Sequence, residues 1–258
     1  MEQIKIIFFD IDGTLIDMEK KRISEKTVET LRRLRANGIK LCIATGRSPV
    51  ALPDFGGAEF DAFLTFNGSL CYTDKETIFS NPISHDDVQR IIRNAAAMGR
   101  PVNICTRDRL AANGTDTDLA DYFAIAKLSV PVTEEFDALS HKDIYQLMMG
   151  CRESDYPAIL DGVSGAQIAA WWDRAVDIIP AGGGKGLGIE RMLAFYHLDR
   201  TQALAFGDGN NDREMLETVG TGVAMANGSP QLKAIADDVC GSVTEDGIYH
   251  YCVEHGLI

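Results

Sequence analysis

The stretch Ile4-Lys5-Ile6-Ile7-Phe8-Phe9-Asp10-Ile11-Asp12-Gly13-Thr14 decides the fold. A run so rich in Ile and Phe reads as a strand buried on both faces, as in a parallel sheet covered by helices. Gly13 ends it in a polar turn. Ser24 then opens a helix with Val28, Leu31 and Leu34 on one face, closed by Gly38. Two further apolar strands, LCIAT (41–45) and AFLTF (62–66), also finish in turns, at Gly46-Arg47 and Asn67-Gly68. Strand, helix, strand with polar exits is a βαβ beginning, and it predicts a Rossmann-like, doubly wound α/β core.

From about residue 80 the rhythm changes. Asp86 and Asp87 are expected to cap a helix carrying Val88, Ile91, Ile92, Ala95 and Met98, with strands at 102–106, 144–149, 166–172 and 175–179 after it. The last two, split by Asp173-Arg174, read as a hairpin, which parallel strands cannot make. Residues 81–180 are therefore expected to be an inserted α+β domain with an antiparallel sheet, between core segments 1–80 and 181–258. After Pro180 the alternation resumes: helix 185–197, strand ALAF, helix 211–219, strand GVAM, helix 229–236 and a closing helix from Asp246.

The 258 residues carry 25 basic and 38 acidic groups, a formal charge of −13. The excess is uneven: net −1 over residues 1–80, −6 over 81–180 and −6 over 181–258. That acidity argues against nucleic-acid or anionic-membrane partners, which require a basic surface. No apolar stretch approaches the roughly 20 residues of a membrane helix. Six cysteines without a C-x-x-C read as free thiols, so a reducing cytoplasm is expected. Three Asn-Gly-Ser/Thr triplets, at Asn67, Asn113 and Asn227, read as turns.

Chemistry in an open α/β sheet collects just past the carboxyl ends of its strands. Four segments fall there. Asp10 and Asp12 could be an incidental polar turn, yet a carboxylate at the edge of a buried strand needs a compensating charge, and a metal ion supplies one. Thr45-Gly46-Arg47 offers a hydroxyl and backbone N–H groups as an anion cradle. Lys185 follows three glycines at a helix start, where a cation opposes the macrodipole, so a purely structural role is disfavoured. Gly207-Asp208-Gly209-Asn210-Asn211-Asp212 brings more carboxylates to the same end. Oxygen ligands without His or Cys favour Mg²⁺. Metal and anion cradle together suit a phosphate group, attacked by one Asp to give an aspartyl phosphate while the second Asp moves protons.

DIDGT, ATGR, the Gly-rich Lys185 and GDGNND, in this order, resemble the four motifs of the haloacid dehalogenase (HAD) superfamily. The large insertion between the second and third motifs resembles the C2-type cap of the Cof-type (IIB) sugar-phosphate phosphatases. The resemblance covers essentially the whole chain. It implies that Asp10 is the nucleophile and Asp12 the general acid/base. It implies further that the Asp10 side chain, the Asp12 carbonyl and Asp208 bind Mg²⁺, with Asp212 supporting from behind. Ile11 (through its N–H), Thr45, Gly46, Lys185 and Asn211 would hold the phosphate. The expected enzyme is a Mg²⁺-dependent phosphatase of small phosphorylated metabolites, sugar phosphates above all, its oligomeric state left open.

Competing readings are weaker. GGGKG fails as a nucleotide P-loop, because position 179 is Ile and Gly186 follows Lys185. GDGNND ends in Asp212 and misses the dinucleotide pattern. A phospho-accepting signalling domain would need neither the insertion nor the second Asp. A phosphomutase uses the same carboxylates and remains the nearest rival. Trp171 and Trp172 are expected side by side on a strand, one in the core and one against a sugar ring, with Asp177 touching a hydroxyl. Asn67 is expected to touch ligand or to make a turn, Arg47 to brace its turn, and Arg107 and Arg109 to be surface residues or contacts to a second anion. The five histidines fall outside the motifs and read as solvated or packed.

Overall fold

In a computed structural model, residues 3–170 and 172–258 are described. The elements in chain order are β1 (Ile6–Phe9), β2 (Ile16–Asp17), β3 (Arg22–Ile23), α1 (Glu25–Ala36), β4 (Lys40–Ala44), β5 (Ala62–Thr65), β6 (Leu70–Tyr72) and β7 (Thr77–Ser80). Next come α2 (His85–Ala97), β8 (Val102–Cys105), β9 (Leu110–Ala112), α3 (Thr117–Ile125), α4 (Phe136–Ser140), β10 (Gln146–Gly150), α5 (Tyr156–Ile159), β11 (Ala166–Ala169) and β12 (Ala175–Pro180). The chain closes with α6 (Lys185–Tyr196), β13 (Ala203–Gly207), α7 (Arg213–Thr218), β14 (Thr221–Met225), α8 (Pro230–Lys233), β15 (Asp238–Cys240) and α9 (Gly247–Glu254).

The chain divides into two compact units. One comprises the residues up to Arg47, then Leu52–Ser80 and Gly184–Ile258; the other comprises Ser48–Ala51 and Asn81–Gly183. In the first, a sheet runs β15-β14-β13-β1-β4-β5-β6-β7. From β15 to β5 every pairing is parallel, and β6 and β7 extend the sheet antiparallel. β1 alternates between two cores. Ile7 and Phe9 pack with Leu31 and Leu34 of α1 and Ile248 and Tyr251 of α9. Ile6 and Phe8 pack with Ile189 and Met192 of α6 and Met215 and Leu216 of α7. All four side chains of β1 are fully buried, each contributing about 1.5–3 kcal/mol of transfer free energy. The sheet is therefore covered on both faces, as its unbroken apolar run predicts.

Chain order reverses between β1 and β13. From β1 the sheet grows one way through β4 and β5, and from β13 the other way through β14 and β15. Such a switch point leaves a crevice at the carboxyl ends of the strands, and Asp10 and Asp208 follow the two strands that flank it.

The second unit is α+β. Its sheet runs β11-β12-β10-β8-β9, antiparallel throughout. Val102, Ile104, Leu147, Met149, Val176 and Ile178 face Val88, Ile91 and Ala95 of α2 and Ile159 of α5. The opposite face carries Asn103, Gln146, Met148 and Asp177, with α3 laid over part of it through Leu119, Tyr122 and Phe123. The observed fold is a Rossmann-like core with an inserted cap built on an antiparallel sheet.

Three local expectations are corrected. Ser84, not Asp86 or Asp87, caps α2, its hydroxyl accepting from Asp87 N at 3.2 Å. The Asp87 carboxylate instead accepts from the backbone of Ser164 and Gly165. The hairpin is real, with Ala169 opposite Asp177, but β11 stops at Ala169. Trp172 therefore lies in the connection rather than on the strand, and Trp171 falls outside the described residues. Finally, the helix expected over 211–219 is a 3₁₀ turn at Asn210–Asp212 followed by the short α7.

Candidate active site

Three carboxylates gather at the switch point. Asp10, Asp208 and Asp212 each offer an oxygen, and these oxygens lie within 4.8 Å of one another. Asp10 and Asp208 arrive from the ends of β1 and β13, and Asp212 from the 3₁₀ turn that follows. The donor set is oxygen alone, which suits a hard divalent cation such as Mg²⁺. The residues present therefore fit the ion.

Lys185 lies between two of these acids. Its Nζ donates to Asp10 Oδ1 at 2.6 Å and to Asp212 Oδ1 at 2.5 Å, and the side chain is fully buried. The ammonium stands at the first position of α6, held there by Gly184, whose φ of 144° serves as the N-cap. Burial alone would push Lys185 down, but the two carboxylates outweigh it and hold the ammonium above its ordinary value. Asp10 is raised well above the usual carboxylate range by burial and then by Asp212, with Lys185 opposing. Asp208 is pushed up to about 7, by burial first and by Asp212 second. One lysine against three carboxylates leaves negative charge uncompensated, and a cation there would remove the strain.

The remaining groups are tied down by short bonds. Asp212 Oδ2 accepts from the backbone of Asp208 and Gly209, both at 2.9 Å, so this acid organises the loop that carries Asp208. Thr14 Oγ1 donates to Asp208 Oδ1 at 3.2 Å. Gly13 sits at φ +85°, and a Cβ there would run into the Asp208 carboxylate. Arg47 binds Asp12 through both Nε (2.8 Å) and Nη2 (2.6 Å). Thr45 is buried, its hydroxyl accepting from Arg47 N at 3.1 Å. Asn67 adopts a left-handed conformation, φ 51° and ψ 38°, and its amide lies beside Gly46 and near the Asn211 amide, 3.5 Å away.

Asp10, Asp12, Thr45, Gly46, Lys185, Asp208, Asn211 and Asp212 thus belong to one unit, Lys185 at the start of α6 and the others in the turns that follow β1, β4 and β13, with Ile11 between the first two acids. Thr14, the Arg47 grip on Asp12, and Asn227 were not legible beforehand. Asn227 donates to Gly13 O at 2.8 Å and accepts from Val243 N at 2.9 Å, tying the first motif to a distant turn. The Asn-Gly-Ser triplet was its only signal.

The chain matches the haloacid dehalogenase-like hydrolase family over residues 7–252. It belongs to that family. A Bacillus subtilis (strain 168) protein, YkrA, whose name assigns it provisionally to the phosphatases, is 34% identical over 256 residues, 98% of each chain. The 5-amino-6-(5-phospho-D-ribitylamino)uracil phosphatase YitU of the same organism is 29% identical over 266 residues, 97% of each chain. Among solved structures, a HAD subclass IIB sugar phosphatase superposes with a TM-score of 0.85 at 28% identity, over 98% of this chain and 100% of that one. This HAD chain is accordingly an enzyme of the phosphatase class.

The cap residues singled out by sequence have local partners. Tyr122 Oη donates to Asp177 Oδ1 at 2.8 Å. Trp172 stacks on Tyr122, ring centres 6.0 Å apart, and the Arg174 guanidinium lies 4.3 Å from the Trp172 ring. Arg109 pairs with Glu135. On the same sheet face as Asp177, Asn103 Oδ1 and Gln146 Oε1 are buried acceptors without a hydrogen-bond donor among the described residues.

Proposed function

We propose that the chain is a Mg²⁺-dependent phosphatase of small phosphomonoesters, sugar phosphates above all, working through an aspartyl phosphate on Asp10. The observation that carries this reading is the buried Asp10 carboxylate held at 2.6 Å by Lys185 beside Asp208 and Asp212. Asp10, the Asp12 carbonyl and Asp208 would hold Mg²⁺, which when bound screens the repulsion between the Asp10 anion and the phosphate and stabilises charge on its oxygens.

In this reading Lys185 fixes Asp10 Oδ1, leaving the other oxygen to attack phosphorus. The ester P–O bond breaks as the Asp10 O–P bond forms. Asp12 gives its proton to the departing oxygen, so the alcohol leaves neutral. A water then enters, Asp12 takes its proton, and attack at phosphorus releases inorganic phosphate and restores the Asp10 carboxylate. The N–H groups of Ile11 and Gly46, the hydroxyl of Thr45, and Asn211 would receive the phosphate oxygens.

Residues 81–180 would act as a C2-type cap that excludes water and recognises the leaving group. Within residues 81–180, the acceptors of Asn103 and Gln146, unpaired among the described residues, and Asp177 with its Tyr122 bond favour a ligand rich in O–H donors, with Trp172 as a further contact; in the other unit, Asn67 beside Gly46 would be a contact to the phosphate. Buried polar groups left unpaired discriminate strongly against ligands that cannot satisfy them. The named substrates of the relatives are likewise small phosphorylated metabolites. Among the described residues no helix is long and apolar enough to cross a membrane, and the free thiols suit a reducing cytoplasm.

The test is turnover of an aryl phosphate with Mg²⁺, then a kcat/KM screen across triose, pentose and hexose phosphates, flavin mononucleotide and pyridoxal phosphate. Asp10→Asn is expected to abolish turnover with the fold intact, and Asp12→Asn to slow it while metal still binds. Sustained release of phosphate separates a phosphatase from a signalling domain, which stops after one phosphorylation, and from a mutase, which requires a bisphosphorylated sugar. Activity persisting in Asp10→Asn or in excess chelator would overturn the reading.

A further inference from the structure

Outside the acidic cluster, two imidazoles meet on the surface of the cap unit. His85 opens α2 and His141 follows α4, and His141 Nδ1 lies 3.2 Å from His85 Nε2. Both residues are exposed. We propose that this pair is a binding site for a borderline divalent transition metal ion, Zn²⁺ foremost, with water completing the shell.

The separation fits chelation. Imidazole nitrogens bind Zn²⁺ at about 2.0–2.1 Å, which in tetrahedral geometry spaces two of them about 3.3–3.4 Å apart. Octahedral coordination at that bond length brings them to about 2.8–3.0 Å, and the observed 3.2 Å falls between. A straight N–H···N bond of this length would hold the ring centres roughly 5.4 Å apart. They are 4.9 Å apart and the planes are inclined by 35°, so the hydrogen bond between the two rings is bent, and a bound metal would take the place of its proton. Imidazole selects Zn²⁺, Cu²⁺ and Ni²⁺ over Mg²⁺, so this site would not compete for the ion of the acidic cluster.

The pair is held in place from beneath. Gln89, one turn into α2, donates to the carbonyl and hydroxyl of Ser140, at 3.3 and 3.0 Å. Ser140 in turn donates to Asp137 O at 2.8 Å, and Ile83 N donates to Ile144 O at 2.8 Å. The backbones that carry the two histidines are thus tied together on both sides of the pair, and little ordering remains for a metal to impose. Asp86 adjoins His85 in sequence and Asp137 precedes His141 by one helical turn. They belong to the −6 excess of residues 81–180, which the catalytic groups leave unexplained and which attracts cations.

The test is calorimetric Zn²⁺ titration of the metal-stripped full chain in millimolar Mg²⁺, which keeps the acidic cluster occupied. One Zn²⁺ equivalent is expected in the wild type, weakened at least tenfold in His85→Ala and in His141→Ala and absent in the double variant, with aryl-phosphate turnover in Mg²⁺ unchanged. Cu²⁺ at one equivalent is expected to give an electron paramagnetic resonance spectrum split by two imidazole nitrogens, reduced to at most one in either single variant. Zn²⁺ affinity and stoichiometry unaltered in the double variant, or a wild-type Cu²⁺ spectrum without the second nitrogen, would overturn the proposal.

Discussion

Arg47 grips both carboxylate oxygens of Asp12, Nη2 to Oδ1 at 2.6 Å and Nε to Oδ2 at 2.8 Å. The two side chains are 30% and 34% exposed. An ion pair that open to solvent contributes at most about 1 kcal/mol to stability, so its effect is expected in catalysis, through the orientation of Asp12. Arg47→Lys keeps the charge and loses the planar fork. The expected result is a kcat lowered about tenfold with an unchanged melting temperature. A wild-type kcat in Arg47→Lys would reduce Arg47 to a brace for its turn.

Gly13 carries a double constraint, a left-handed φ of 85° and the Asp208 carboxylate where a Cβ would stand. Gly13→Ala should lower stability by about 1–2 kcal/mol through the backbone alone. It should also displace Asp208, so metal affinity falls with kcat. The paired measurement is thermal unfolding with chelator, which reads the backbone cost, and Mg²⁺ titration of activity, which reads the displacement. A stability loss with Mg²⁺ affinity unchanged would mean that Asp208 adjusts without leaving its place.

Asn227 joins Gly13 O to Val243 N through the two ends of its amide. Asn227→Ala removes both bonds, at a cost of about 1–3 kcal/mol, and frees the turn that aims Asp12. The expected readout is a fall in kcat larger than any change in KM for an aryl phosphate, since the residue reaches the reacting groups only through the Gly13 carbonyl. Asn227→Asp keeps only the acceptor, so it should restore the Val243 contact and not the rate.

Residues that act through chain direction were legible in the sequence. Asp10 follows an apolar strand, and Lys185 opens a helix where a cation is disfavoured; each is a local contradiction, and the structure resolves both by pairing the two residues. What escaped depends on folding at long range. Arg47 and Asp12 are 35 residues apart and Asn227 and Gly13 are 214 apart, with no pattern linking them. The cap misled for another reason. Ser84, Asp86 and Asp87 all suit a helix start, and only packing decides that Asp87 turns to Ser164 and Gly165. Trp172 left its expected strand because β11 closes at Ala169, its aromatic ring then stacking on Tyr122.

The acidic cluster makes a prediction about pH whose sign is opposite to that of ordinary salt-bridged acids. Burial and Asp212 push Asp208 from its ordinary 3.8 up to about 7. Between those values the folded, metal-free protein keeps a proton that the unfolded chain has lost. Stability therefore falls as pH rises through that window, with a slope of up to about 1.4 kcal/mol per pH unit, and is level with respect to this group above it. Asp208→Asn removes the effect and also relieves Asp10, which Asp208 helps to raise. In excess chelator at pH 8 the variant should be more stable than the wild type, by on the order of 1–3 kcal/mol, though inactive. Adding Mg²⁺ should reverse the order, because bound cation stabilises only the protein that retains the ligand. Denaturant melts at pH 5 and pH 8, with and without Mg²⁺, measure all four corners. A metal-free wild type more stable at pH 8 than at pH 5, with the same trend in Asp208→Asn, would show that Asp208 is not strained by its neighbours.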